Sequence, residues 1–171
     1  IGSKHPDKCH ARLERAKLYY ITSRYDEYLT EVTELIFNNE PNKIYAFDSL
    51  MDYCVDFNKE RLAVKFCKII KKDLSEDAQT YYSAIIHKLQ NHSVKSKEIL
   101  ERIASGDSEF RSRAKYHLSI INFEAENYKE AVEYSESVLR EESTMAPSCY
   151  RVLANLYVHL KDFDKTKYYR S

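Results

Sequence analysis

The chain has 171 residues, 43% apolar and 32% charged, with 27 basic residues balanced by 27 acidic ones. That length can bury a substantial core as one domain, and the balanced charge excludes a broad nucleic-acid footprint. With 2 glycines and 3 prolines the chain is too poor in turn residues for a sheet-rich fold, and it lacks the run of about 18 apolar residues that a membrane span needs.

Residues 1–6 read as a tag remnant or disordered lead, with Gly2-Ser3 as a fusion scar. A first helical pair is expected over about 7–41. Leu13, Ala16, Tyr19 and Tyr20 mark its first helix, Ser23-Arg24 the turn, and Val32, Leu35 and Ile36 the buried side of its second. The Asn38-Asn39-Glu40-Pro41 stretch stops it, since the residue before a proline leaves the helical region. A second pair is expected over 42–74, with Phe47, Leu50, Met51 and Cys54 on one stripe. Asn58 reads as the N-cap of a helix carrying Leu62, Ala63, Phe66, Ile69 and Ile70. Lys68, Lys71 and Lys72 read as a solvated helix end, where positive charge suits the helix dipole.

The third pair, over 75–106, starts from Ser75 as N-cap and turns at Asn91-His92-Ser93. It lacks an aromatic at the turn, so local distortion is expected there. Gly106 stops it. The fourth spans 107–144, with Leu118, Ile121 and Ala125, a turn at Glu126-Asn127, then Tyr128, Ala131, Tyr134, Val138 and Leu139. The fifth, over 145–171, stops within its second helix and is expected to be truncated.

The pairs repeat. The stretch from Tyr116 to Leu139 aligns with that from Tyr150 onward, Leu118 on Leu153, Ser119 on Ala154, Tyr128 on Phe163 and Ala131 on Thr166. Traced backwards, a first-helix position gives Ala16, Met51, Ala84, Ser119 and Ala154, and a second-helix position gives Tyr28, Ala63, Ser96, Ala131 and Thr166. Both series step by 35, 33, 35 and 35 residues. This register resembles the tetratricopeptide repeat (TPR), a helix-turn-helix unit of about 34 residues. Met51 and Tyr28 are larger than the resemblance asks, and its proline after the second helix is missing from most units. The resemblance implies an all-α, right-handed α-solenoid of about five antiparallel hairpins, read as a single domain over 7–171.

No catalytic constellation emerges: no GxSxG, no glycine-rich phosphate loop, no HExxH. The six histidines are scattered, with no partners completing a metal set, and paired acids such as Glu141-Glu142 read as surface. The 4 cysteines, Cys9, Cys54, Cys67 and Cys149, form no CxxC and read as reduced thiols of an intracellular protein, cytoplasmic or nuclear. No enzyme, cofactor or metal site is expected.

The resemblance further implies that the first helix of each unit lines a groove that holds a partner. Carried onto this chain, that face offers Leu13, Lys17 and Tyr20, then Tyr45, Asp48, Asp52 and Asp56, then Tyr81, Ile85 and Lys88. It continues with Tyr116, Ile120 and Phe123, and ends with Arg151, Asn155 and His159. Asp48, Asp52 and Asp56 are four apart, so they form one acidic row. Tyr81, Ile85, Tyr116, Ile120 and Phe123 are expected as an apolar contact strip. Only Arg151 and Asn155 resemble the cationic clamp with which some members hold acidic chaperone tails. The expected function is therefore a protein-protein interaction scaffold or adaptor that binds a basic or amphipathic peptide or helix of a partner in a multiprotein complex. The alternatives are a self-association module, which forms a homodimer, and a peptide-sensing regulatory domain.

Overall fold

The computed structural model describes residues 6–38, 42–141 and 145–170, with side chains from His10 onward. Of the expected lead at 1–6, residues 1–5 lie outside the described residues and Pro6 opens the first helix; the Asn39-Glu40-Pro41 stop, Glu142, Ser171 and the Cys9 thiol also lie outside them.

The described residues form ten α-helices: α1 (Pro6–Ile21), α2 (Tyr25–Phe37), α3 (Lys43–Asp56), α4 (Glu60–Ile70), α5 (Glu76–Leu89), α6 (Ser93–Ser105), α7 (Arg111–Glu124), α8 (Tyr128–Glu141), α9 (Ala146–His159) and α10 (Phe163–Arg170). One 3-10 turn, Lys71–Asp73, follows α4, and the described residues hold no strand. Consecutive helices pair into five hairpins. They fall into two compact units, Ile1–Ser75 with two hairpins and Glu76–Ser171 with three. None of the helices is long and apolar enough to cross a membrane.

The hairpin turns share one backbone device. Each contains a single non-glycine residue with positive φ: Ser23, Asn58, Asn91, Glu126 and Lys161. The next residue donates its N–H to the carbonyl five positions back: Arg24 to Tyr19, Lys59 to Cys54, His92 to His87, Asn127 to Asn122 and Asp162 to Tyr157. This is the hydrogen bond that closes a helix C-terminus through a left-handed residue. The same residue then opens the second helix. Its carbonyl accepts from Tyr28, Ala63, Ser96, Ala131 and Thr166 in turn, at 3.0–3.1 Å. Asn58 is thus the left-handed residue of its turn, and Lys59 occupies the N-cap position without a side-chain cap. Asparagine suits both roles, since its short side chain tolerates the left-handed region as well as capping. The third turn, expected to be distorted, has the same geometry as the others. An aromatic at its outer position is dispensable because the backbone closes it.

Neither glycine of the chain occupies these five positions. A residue with a Cβ is strained there by about 1 kcal/mol. Glu126→Gly and Lys161→Gly should therefore each raise the urea midpoint, by about 0.5 kcal/mol in stability after the entropy that glycine adds to the unfolded chain. Lower midpoints in both variants would refute the strain.

The two repeat positions meet inside each hairpin. All ten residues are buried, from Ala16 and Tyr28 to Ala154 and Thr166. In two hairpins a hydrogen bond joins them directly: Ser96 Oγ donates to the Ala84 carbonyl at 2.9 Å, and Ser119 Oγ to the Ala131 carbonyl at 2.9 Å. A side chain can reach the facing backbone this way only where the helices cross closely, so at least one of the pair must be small. The sequence of every hairpin meets that condition: the pair is Ala16 and Tyr28, then Met51 and Ala63, and the remaining three pairs are both small. Tyr28 fits because its partner is alanine. Its hydroxyl lies 2.9 Å from Ser49 Oγ, and its ring packs on Tyr20 and Tyr53 at 5.2 and 5.5 Å.

Candidate partner-binding surfaces

In the first unit the expected face of α3 is open. Tyr45, Asp48, Asp52 and Asp56 follow each other at three- and four-residue spacing, so they share one side of the helix. Tyr45 is 66% exposed, Asp52 and Asp56 are exposed, and Asp48 is half-buried. On the opposite side Ala46, Phe47, Leu50 and Cys54 go into the core, which fixes the rotation of the helix. Tyr20 of α1 reaches this row and donates its hydroxyl to Asp56. Burial and the Asp56 carboxylate together push the Tyr20 phenol up, so it remains a neutral donor. Of the remaining α1 positions, Leu13 is buried, and Lys17 is held by Glu14 of its own helix at 2.7 Å.

The second unit corrects the apolar strip. Tyr81 and Ile85 are 1% and 2% exposed and belong to the core. Tyr81 stacks on Phe110 at 4.7 Å and carries the Arg113 guanidinium 5.1 Å from its ring centroid. The physical reason is that α5 packs on two sides. Ala84 meets α6 through Ser96, while Tyr81 meets α7 and the residue before it. A face placed opposite the first packing stripe is therefore occupied by the second. Tyr116, Ile120 and Phe123 on α7 are half-buried. Phe123 is committed to its neighbours, with Tyr128 and His159 rings at 5.9 and 5.2 Å. Arg151 and Asn155 are exposed on α9.

His117, absent from the expected site, is a buried titratable group of this unit. It is 7% exposed, and its Nδ1 is buried without a hydrogen-bond partner. Burial, with Lys88 and Arg113 adding positive charge beside it, holds the imidazole far below its usual range, at about 3. Lys88 in turn lies 3.7 Å from Glu124. Burial pulls the Lys88 ammonium down, and Glu124 partly offsets it.

The three described thiols are held protonated by burial. Burial raises Cys54 and Cys67 to about 12 and Cys149 to about 11, so little thiolate exists at neutral pH. Among the described residues no three His, Cys, Asp or Glu side chains converge as metal ligands would.

Comparison with known proteins bears on the fold alone. No family model matches the chain, and no curated protein matches it. Among solved structures it is similar to a crystal structure from Podosopora anserina of a kinesin light chain with nearly identical TPR-like repeats. That similarity has a TM-score of 0.53 and 15% identity, over 97% of this chain and 94% of the other. Five hairpins in one register, with that overlap along nearly the whole chain, give it the fold of an all-α, TPR-like repeat solenoid.

Proposed function

We propose that this chain is a noncatalytic protein-protein interaction module whose α3 face binds a basic or amphipathic segment of a partner. The observation that carries the reading is the composition of that face. An exposed aromatic, Tyr45, heads a row of three aspartates on the side of α3 away from its buried residues. Carboxylates attract lysine or arginine side chains, and an aromatic beside them offers an apolar anchor and a cation-π partner. A partner of this kind fits an adaptor or scaffold within a multiprotein complex inside the cell.

The test is titration of a labelled lysine- and leucine-containing peptide, followed by anisotropy. The double variant Asp52→Asn, Asp56→Asn should weaken binding about tenfold, and Tyr45→Ala should do so at unchanged salt dependence. Equal affinity in both variants would remove α3 as the site. One observation favours a second reading, self-association: the last hairpin exposes Phe163 at 71%, Tyr168 at 69% and Tyr150 at 43%. A molar mass that rises with concentration by light scattering, and falls to monomer in Phe163→Ser, would transfer the interaction to this surface.

A further inference from the structure

The outer face of α4 carries a second charged surface of opposite sign. Arg61, Lys65, Lys68 and Lys72 follow at spacings of four, three and four, and all are exposed. At about 100° per residue Arg61, Lys65 and Lys68 fall within one narrow sector of α4, and Lys72 follows in the 3-10 turn. Ala63, Phe66 and Ile70 occupy the opposite sector and are buried. No described carboxylate pairs with these four cations; the contact that one of them makes is Lys65 Nζ above the rings of Phe37 and Phe66, at 6.0 and 5.7 Å. Beside the row, Phe37 and Ile69 are exposed.

Helix energetics does not account for this row. The helix dipole favours cations in the last turn, which covers Lys68. It disfavours Arg61, which sits in the first turn. Like charges three and four apart also repel. The fold does not impose the row either. The equivalent positions are Asp26, Thr30, Thr33 and Phe37 on α2, and Val94, Glu98, Glu101 and Ser105 on α6. On α8 they are Lys129, Glu133, Glu136 and Arg140. The second hairpin alone is uniformly cationic there.

We propose that this face docks an acidic protein segment that carries an apolar side chain. The three cations of α4 extend for about 10 Å along the helix, continued by Lys72 in the turn, and match carboxylates on one side of a partner helix or strand. Phe37 and Ile69 receive the apolar side chain. A lipid surface is less suited, because the apolar side of α4 is spent in the core and has nothing to insert. A nucleic acid would meet a chain of zero net charge with no broad basic field, and would leave the apolar neighbours unused.

The experiment is anisotropy of a fluorescein-labelled glutamate-rich peptide carrying one leucine, with the whole chain, at ~50 mM and ~300 mM salt. Lys65→Gln, Lys68→Gln should weaken binding about tenfold at low salt, and Lys65→Glu, Lys68→Glu should abolish it. Lys129→Gln, Arg140→Gln on α8 should leave it unchanged. Absence of binding at low salt, or equal weakening by the α8 variant, would make the row a solvated surface and overturn the proposal. A single-stranded oligonucleotide binding more than about tenfold tighter than the peptide would replace the protein segment with nucleic acid. Retention on phosphatidylserine vesicles that requires Lys65 and Lys68, without peptide binding, would replace it with lipid. Binding of the basic peptide at α3 should survive in all of these variants, so the two surfaces fail or stand separately.

Discussion

Tyr28→Ala should lower stability by about 3–5 kcal/mol, the cost of removing a fully buried aromatic side chain from a packed core. Tyr28→Phe should lower it by only about 1 kcal/mol, since the ring stays and the hydroxyl contact with Ser49 is lost. The contrast matters because position 28 is one where the repeat asks for a small residue. A side chain that merely intruded would be replaced by alanine at a gain. The double variant Ala16→Met, Tyr28→Ala moves the bulk across the hairpin, to the arrangement of Met51 and Ala63. It should recover at least about 1 kcal/mol relative to Tyr28→Ala alone. Urea denaturation followed by far-UV circular dichroism measures all three. A stabilised Tyr28→Ala, or a double variant worse than both singles, would defeat the size-compensation account.

Acid should destabilise the second unit through His117, and His117→Leu should remove that sensitivity. In the unfolded chain an imidazole takes up its proton near pH 6.5. In the folded chain burial, Lys88 and Arg113 hold it to about 3. Between these values the unfolded state binds more protons, so the contribution is full above about pH 6.5 and is lost as pH falls toward 3. The slope is at most about 1.4 kcal/mol per pH unit, so about 2 kcal/mol should go between pH 6.5 and 4.5. Glu141 is held low by its hydrogen bond to Lys115 and is also lost on acidification, but in the carboxylate range below that window. The leucine variant should match or exceed wild type at pH 7, because the unpartnered Nδ1 disappears. Parallel stability curves for the two proteins from pH 7 to 4.5 would exclude His117 as the sensor.

The hairpin register was legible in the sequence, and for a physical reason. Close helix crossings leave a mark at fixed spacing, and Ala84, Ser119, Ala131 and Ala154 carry it even where Met51 and Tyr28 depart from it. The helix starts after Ser23-Arg24 and Glu126-Asn127 were legible for the same reason. What the sequence could not convey was how many sides of a helix are covered. The periodicity of α5 marks an apolar sector but not where packing ends, so Tyr81 and Ile85 read as contact residues although both are core. α3 misled less, because aspartates at 48, 52 and 56 have no place in a core. Arg61 and Lys65 do not stand out in the sequence, because the helix dipole already accounts for Lys68 and for cations just past the helix end. Setting α4 against α2, α6 and α8 position by position was the available signal. His117 left no trace at all, since a lone histidine in an apolar sector looks the same whether its nitrogens are satisfied or not.

The paired positions also bear on how such a chain is detected. A family model scores each column by itself and rewards small residues at both places. Here the constraint is that at least one of two residues twelve apart be small, and the turn that joins them is closed by backbone atoms whose side chains vary from copy to copy. Tyrosine at one place facing alanine, or methionine at the other facing alanine, satisfies that constraint, yet the tyrosine and the methionine each score as a mismatch. A chain can thus drift beyond the reach of column-wise comparison while its helices keep crossing at the same points, which fits the match to a solved fold at 15% identity where no family model matches.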